Sequence, residues 1–297
     1  MIAYKKSLGM KIFTFCNYTF MILFAIICLV PIWHTLCASF SMPYELQRTS
    51  GLVIWPVGGY TLQGYQLVFD NPHVWTGYLN TIINVVVGTF LGVLMTFLAG
   101  YVLSRNNLLL APFLTLLIMF TMWFSGGLIP TYMVIRMLGM LDTRAALILP
   151  AVLSSFNFII MRTALREVPE GLVESATIDG AGHFTIMFRI LMPVTKATLA
   201  VIALYYAVGI WNSWFAASIY LLKNRSLRPL QLVLRDILIN ADASSYNTPS
   251  DASNSTDMFK PLIQYTTIVI ATAPILLVYP FIQKYFVTGV MLGSIKG

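Results

Sequence analysis

The stretch NPHVWTGYLNTIINVVVGTFLGVLMTFLAGYVLS, residues 71–104, contains no Asp, Glu, Lys or Arg. A helix needs about 20 predominantly apolar residues to cross the hydrocarbon core of a bilayer. A chain dissolved in lipid needs charged side chains mainly at the two water interfaces. The stretch is long enough to cross, so it predicts a membrane-spanning helix over about 79–104.

Six further charge-free windows lie on either side: Ile12–Tyr44, Thr49–Phe69, Asn106–Ile135, Ala145–Met161, Ala197–Leu222 and Pro261–Gln283. Thr49–Phe69 is set aside, because its glycines and Pro56 would leave backbone groups poorly satisfied in lipid. The remaining windows predict an all-α polytopic membrane protein with a single transmembrane domain over 1–297. Its six helices are expected over about 12–38, 79–104, 109–131, 145–165, 194–222 and 263–285.

The composition of the whole chain agrees with a membrane protein. Of its 297 residues, 58% are hydrophobic and only 10% are charged, against about 25% in a soluble domain. This excludes an ordinary cytosolic enzyme. The net charge of +7 comes from cations spread singly along the chain, which suit a membrane surface better than a nucleic acid. The three cysteines, all in the first apolar run, predict no disulfide framework.

The loops indicate which side of the membrane each end occupies. Lys5, Lys6 and Lys11 precede the first helix, which favours a cytoplasmic N-terminus, and an even number of spans puts both termini on that side. Three connections are long. Those over about 39–78 and 223–262 are expected outside the cell, and the one over about 166–193 is expected in the cytoplasm.

The cytoplasmic loop is the most informative stretch, and reads VPEGLVESATIDGAGHFTIMFRILMPVTKA over Val168–Ala197. Pro169 suits the first turn of a helix, and Glu170 and Glu174 suit its positive N-terminal end. Asp179 with Gly180 predicts a stop. The pattern therefore predicts a short cytoplasmic helix of two to three turns, although a merely polar loop with a capped helix is the alternative on these residues alone.

The loop closely resembles the signature loop of permease subunits of ATP-binding-cassette (ABC) importers. Glu174–Ala176 match the Glu-Ala-Ala opening of that signature, Asp179–Ala181 its glycine-containing middle, and Ile190–Pro193 its Ile-x-Leu-Pro ending. Ser175 and Met192 depart from the pattern by small or volume-conserving changes.

The rest of the chain extends this resemblance to the carbohydrate-uptake branch, where it is most similar to polysaccharide-utilisation permeases of Gram-positive bacteria. The chain has a Trp-Asn-x-Trp element over Trp211–Trp214 and the tail YPFIQKYFVTGVMLGSIKG from Tyr279. The resemblance implies a multi-pass permease of the bacterial cell membrane. It would translocate an oligosaccharide delivered by an extracytoplasmic sugar-binding (lipo)protein.

The resemblance also implies partners and residue roles. The permease would pair with a second, unlike permease subunit and two copies of a cytoplasmic ATPase subunit, which would bind ATP and Mg. No phosphate-binding Gly-rich loop ending in Lys-Ser or Lys-Thr occurs in this chain, so no cofactor is expected here. The ATPase-coupling residues would be Glu174 for a polar contact, Gly180 for a sharp turn and Pro193 for the entry into helix five, together with Ser175, Ala176 and Asp179.

Aromatic and amide side chains in the spans are candidates for the sugar path, since sugar sites pair aromatic faces with amides and hydroxyls. Trp211 and Trp214 lie three residues apart on helix five, beside Asn212. Polar groups at membrane depth tend to face a protein interior or a watery path. The further candidates on this argument are Asn157, Trp123 and Asn84.

The outer loop over 223–262 carries a cationic cluster, Lys223, Arg225, Arg228 and Arg235. Behind it, Ala241–Asp257 contains no Leu, Ile or Val, so this stretch is not expected to build a core. The cluster is a candidate docking element for the binding protein. A solvated loop explains it nearly as well.

Two other classes remain open on the residues alone. An ion-coupled secondary sugar transporter commonly places Asp, Glu, Lys or Arg at mid-membrane, and none of these lies in the middle of a predicted span. An intramembrane enzyme is less favoured, because His34, His73 and His183 are far apart in sequence and no hydrolase or metal-ligand motif occurs. No metal site and no nucleic-acid partner are predicted.

Overall fold

The structure, a computed structural model, describes residues 8–105, 108–243 and 253–294. Within these ranges the chain is helical, with no β-strand, as the sequence predicts. In chain order their α-helices are α1 (Leu8–Ser39), α2 (Pro43–Arg48), α3 (Gln63–Phe69), α4 (Pro72–Ser104), α5 (Ala111–Trp123), α6 (Leu128–Met137), α7 (Ala145–Ile148), α8 (Ser155–Arg166), α9 (Glu170–Ile178), α10 (His183–Thr185), α11 (Met192–Val194), α12 (Lys196–Trp211), α13 (Phe215–Tyr220), α14 (Leu230–Ala243) and α15 (Ser253–Ser294).

Three of these helices in the described ranges are long and apolar enough to cross a bilayer without interruption: α1, α4 and the Met258–Pro280 part of α15. Three more candidates are bent pairs. The segments of α5 and α6 meet at 118°, those of Ala145–Ala151 and α8 at 46°, and those of His183–Val194 and α12 at 83°. The described residues therefore supply three spans, or up to six if each bent pair crosses as one.

The breaks correct three of the expected helices, and the one expected over 145–165 is interrupted at Val152–Ser154. The helix expected over 109–131 is two helices separated at Phe124–Gly127, where Gly126 and Gly127 interrupt the helical hydrogen bonding. The helix expected over 194–222 ends at Trp211, and a separate short helix, α13, follows after a gap. A window free of charge measures how long an apolar run is, and it does not register a change of direction within the run.

The two connections that are expected outside the cell contain more helix than the sequence indicates. The connection over 39–78 holds α2 and α3, and α4 already begins at Pro72, a residue that fits the first turn of a helix. The connection over 223–262 holds a 3-10 turn at Arg225–Leu227, then α14 and the first turns of α15. Ala241–Ala243 and Ser253–Asp257 of the expected coreless stretch are helical, and its 244–252 part lies outside the described residues.

The chain forms two compact units. The described residues of Met1–Asn71 and Asp236–Thr272 make the first unit, and those of Pro72–Arg235 and Ala273–Gly297 make the second. In the first unit, the connection over 39–78 is hydrogen-bonded to the C-terminal part of α1. His34 Nδ1 accepts a hydrogen bond from the Val53 N–H at 2.9 Å, and the Trp33 indole N–H donates to the Ile54 carbonyl at 2.8 Å.

The second unit is centred on α4, which packs against α12 and α8. Phe97, Met161, Leu191 and Ile202 are fully or almost fully buried there. Small residues on α4 allow the neighbouring helices to approach it closely. A Cβ added at Gly92 would lie 2.9 Å from the Tyr206 ring, closer than real side chains pack. In α1, by contrast, only 6% of the most apolar window is buried, which leaves its surface to lipid or to a partner.

We expect Gly92→Ala to destabilise the second unit, because the added methyl group forces the rigid Tyr206 ring away from α4. Overpacking of this kind costs about 1–3 kcal/mol. The apparent unfolding temperature of the detergent-solubilised protein should therefore fall. Gly209→Ala on α12 is the matched control, since nothing lies within 4 Å of its added Cβ. Equal unfolding temperatures for the two variants would contradict the close approach.

Candidate functional site

Helix α9 lies where the sequence predicts a short helix, and its end is well defined. Asp179 is the C-cap residue of α9, and Gly180 follows it with φ +82°. The Ala181 N–H donates to the Ala176 carbonyl at 2.9 Å, and the Gly180 N–H donates to the Thr177 carbonyl at 3.0 Å. This pair of bonds is the Schellman motif, which satisfies the last carbonyls of a helix and requires a left-handed residue. Pro169 stands one position before the helix rather than within its first turn.

The two sides of α9 differ in exposure. Ala176 is buried against the core of the second unit, with Val173 packed beside it. Glu174, Ser175 and Asp179 are exposed, so the carboxylates point to solvent rather than into the protein. The helix is therefore anchored by its apolar side and presents an acidic side for a partner to bind.

A cavity of about 890 Å³ lies beside α9, at the ends of α4 and α8. Glu170 and Glu174 line it on the α9 side, and Arg105 and Arg166 line it on the other. The Arg105 guanidinium lies 4.7 Å from the centre of the Tyr101 ring. The cavity thus offers both signs of charge on a partly apolar surface.

The segment between α9 and α12 is irregular. It runs from His183 through a π-helical stretch, Ile186–Leu191, to Val194, and then bends by 83° into α12. The His183 ring is joined to the Tyr101 hydroxyl, with Nδ1 and the oxygen 3.1 Å apart. Pro193 lies in α11, just before the bend, and α12 begins at Lys196. The expected role of Pro193 at the entry into helix five stays a prediction.

Trp211 and Trp214 do not share one helix face, although a spacing of three residues would place them together on a continuous helix. Trp211 is the last residue of α12, Asn212 caps it, and Trp214 precedes α13. The Trp211 ring lies 6.3 Å from that of Tyr78 on α4. Asn212 is exposed and returns its side-chain N–H to the Val208 carbonyl of its own helix. Because α12 ends at Trp211, a non-helical turn separates Trp211 from Trp214.

The remaining path candidates fall in different surroundings. Asn84 is buried on α4 and accepts a hydrogen bond from Arg144 at 3.4 Å. Asn157 is also buried, and its Oδ1 has no hydrogen-bond partner among the described residues. Trp123 is 72% exposed at the end of α5. The structure does not bring these three side chains together with Trp211 into a single site.

Sequence reasoning missed a polar network near the N-terminal end of α4. Arg144 donates to the Asn80 Oδ1 at 2.6 Å as well as to Asn84. The Asn80 side-chain N–H groups in turn bond the carbonyls of Ser226 and Arg228 at 2.7 and 3.0 Å. The spacing of Asn80 and Asn84, four residues apart on an apolar helix, was the available signal that this face meets protein rather than lipid.

The cationic docking candidates divide into two pairs. Lys223 and Arg225 are exposed, whereas Arg228 and Arg235 are partly buried. The Arg235 guanidinium lies 4.2 Å from the centre of the Trp214 ring, a cation–π contact. Arg235 thus holds a path candidate in place, and the exposed pair is the part of the cluster open to a partner.

Asp142 fixes the turn that carries Lys223. It has φ 59°, and its Oδ1 accepts the backbone N–H groups of Lys223 at 2.7 Å and Asn224 at 3.1 Å. These hydrogen bonds, with that of Asn224 the largest contribution, lower the pKa of the Asp142 carboxyl below its ordinary value. The ionised form is therefore favoured, and the turn stays fastened at neutral pH.

Residues 84–291 match the family described as "Binding-protein-dependent transport system inner membrane component". The chain belongs to this family of membrane transport components. The resemblance inferred from the loop over Val168–Ala197 is thereby confirmed at the level of the family.

Relatives along the full length specify the class further. The chain is 38% identical to the Polygalacturonan/rhamnogalacturonan transport system permease protein YtcP of Bacillus subtilis (strain 168), over 97% of this chain and 99% of that protein. It is 39% identical to Protein LplC of the same organism, over 97% and 96%. A solved structure, that of a bacterial ABC transporter involved in the import of the acidic polysaccharide alginate, superposes with TM-score 0.82 at 28% identity. The match covers 96% of this chain and 100% of that one.

These findings establish a multi-pass membrane permease subunit of a binding-protein-dependent ABC importer, and not an enzyme. The family implies an ATPase and a substrate-binding protein as partners. The alternatives of a secondary transporter and of an intramembrane enzyme are thereby set aside.

Gly180→Val is expected to loosen α9, because a β-branched side chain in the left-handed region costs about 1–2 kcal/mol. Amide hydrogen exchange over α9 should accelerate by a factor of about 5–30, the range that this free energy supports. Gly182→Ala is the control, since Gly182 has φ −74° and open space around its added Cβ. Unchanged exchange in Gly180→Val would show that the Schellman turn does not hold the helix end.

Proposed function

We propose that this permease translocates an oligosaccharide, handed over by an extracytoplasmic sugar-binding protein, with the energy of ATP hydrolysed by a separate subunit. ATP and Mg would bind to the ATPase and not to this chain. The observation that carries the proposal is α9: a helix anchored by Ala176, stopped at Gly180 and exposing Glu174. Such a helix is suited to dock in a second protein and to pass on its movement.

In the proposed topology each bent pair crosses the membrane once, which makes six spans with both termini in the cytoplasm. Lys5, Lys6 and Lys11 before α1 support this orientation. It places α9 and the cavity beside it on the cytoplasmic side, where an ATPase can reach them. It places the Arg144 network and Lys223 on the opposite side, where a binding protein can reach them.

The proposed assembly contains a second, unlike permease and two ATPase subunits. The apolar surface of α1, of which little is buried within the chain, supports contact with lipid and with the second permease. Glu174 and Asp179 would meet the ATPase, and Gly180 would let the chain turn back towards the membrane. Lys223 and Arg225, which are exposed, would contribute to docking of the binding protein.

For the substrate we propose an oligosaccharide that carries uronate carboxylates. Two findings support this class: a relative of the chain is a polygalacturonan/rhamnogalacturonan permease, and a structural relative imports the acidic polysaccharide alginate. Trp211, supported by Tyr78, would offer an aromatic face to a sugar ring. Asn84, Asn157 and Asn212, with Trp123 and Trp214, remain proposed parts of the path.

The coupling role of α9 is tested by Glu174→Lys in the complete transporter, reconstituted in vesicles with its ATPase and binding protein. Reversing a charge at a protein–protein contact costs about 2–5 kcal/mol. Uptake should accordingly fall by about tenfold or more, while the permease remains inserted in the membrane. Glu167→Lys is the matched control, because Glu167 is exposed on the same loop but does not line the cavity. Wild-type uptake by Glu174→Lys with its ATPase bound would rule out this coupling contact.

The substrate class is tested in the same vesicles with oligogalacturonates and with neutral gluco-oligosaccharides of equal length. We expect only the uronate series to stimulate ATP hydrolysis and to accumulate inside. The measurement is radiolabelled sugar per mole of ATP hydrolysed, with vesicles lacking the binding protein as the blank. Stimulation by the neutral series alone would contradict the acidic substrate and leave the ABC importer mechanism intact.

A further inference from the structure

The Tyr206 hydroxyl joins three helices at one point. It lies 2.7 Å from the Thr96 hydroxyl on α4, and it accepts the backbone N–H of Ser154 at 2.9 Å, directly before α8. Tyr206 itself belongs to α12, and only 6% of its surface is exposed. Because the oxygen accepts from Ser154, its own proton is available for Thr96, so both partners are satisfied by a single hydroxyl.

Ser154 is the residue at which the fourth candidate span breaks. The segments on either side of it, Ala145–Ala151 and α8, differ in direction by 46°. Such a break leaves backbone N–H groups without helical partners, and lipid offers none in exchange. The Ser154 side chain accepts the Asn157 N–H at 3.4 Å, and Tyr206 supplies the acceptor for the N–H of Ser154 itself. The direction of α8 is therefore tied to the position of α12.

Tyr206 is also connected to α9 through a cluster of buried side chains. One buried cluster contains Ala176 of α9, Leu191 of the segment that follows it, and Tyr206. Its other members connect the same elements to α4 and α8: Phe97, Tyr101, Met161, Leu165, Ile186, Met187 and Ile202. Side chains that pack against one another transmit displacement between the elements that carry them. A movement of α9 therefore has a packed route to Tyr206.

We propose that Tyr206 is a positioning residue of the transport cycle, whose hydroxyl relays the movement of α9 to the break before α8. The ring, which contacts Gly92, keeps α12 on α4, and the hydroxyl adds the connection to α8. Displacing the first turn of α8 displaces Asn157, the buried amide three residues after the break. The inference rests on the proposed coupling through α9.

The experiment compares Tyr206→Phe and Thr96→Val in the complete transporter, reconstituted with its ATPase and binding protein. Tyr206→Phe keeps the ring and removes only the hydroxyl, whereas Thr96→Val removes one partner of that hydroxyl. The loss of one or two buried hydrogen bonds should reduce the sugar imported per ATP by about three- to tenfold for Tyr206→Phe, with a smaller reduction for Thr96→Val. The double variant should be no worse than Tyr206→Phe, because both changes act on one junction.

Tyr220→Phe is the matched control. It removes a hydroxyl from a second tyrosine with only 6% of its surface exposed, on α13, where the ring stacks at 6.4 Å from that of Tyr132, and it should retain the wild-type ratio. Membrane content and co-purified ATPase are measured for every variant, which separates a lost assembly from a lost relay. A wild-type ratio in any assembled variant that lacks the junction, Tyr206→Phe or Thr96→Val, overturns the relay. If the wild-type transporter itself shows no ATP-dependent uptake, the proposed function fails instead.

Discussion

A backbone N–H or C=O that lacks a partner in the hydrocarbon core costs several kcal/mol, and the rest of this structure depends on how the chain meets that constraint. An unbroken helix such as α4 meets it alone. Three candidate spans of the described chain are bent, and each bend needs acceptors or donors from elsewhere. At the bend before α8 the acceptors are the hydroxyls of Ser154 and Tyr206. The constraint thus converts a change of direction within one span into a fixed relation between neighbouring spans.

The glycine-lined face of α4 makes that relation possible. Without a side chain at Gly92 the Tyr206 ring comes into direct contact with α4, and without one at Gly100 the Met161 side chain does the same. Close approach of backbones is the usual means by which membrane helices associate, because lipid gives no hydrophobic reason for them to do so. The core of the second unit therefore depends on the glycines of α4 as much as on the large side chains that pack against them.

What the sequence predicted follows from the range of the forces involved. Apolar length is a local property, so the windows around α1, α4 and α15 were correctly recognised as helical. The stop of α9 was predictable for the same reason, since a Schellman turn needs only Gly180 and its immediate neighbours. The bends, the helices within the outer connections and the exact start of α12 were not predictable, because they depend on partners distant in sequence. The Ser154–Tyr206 bond spans 52 residues and the Arg144–Asn80 bond spans 64.

The distribution of charge follows from the same constraint. Among the described residues, some charged side chains are exposed, as Glu174 and Lys223 are, and others are held by groups of the protein. Arg144 is held by two asparagine oxygens, and Arg235 by the face of Trp214. A guanidinium engaged by neutral partners keeps its full positive charge. The end of the second unit that carries Arg144 and Arg235 is therefore cationic and held by contacts within the protein. In the proposed topology this end faces the binding protein, where its charge would favour the anionic substrate proposed above.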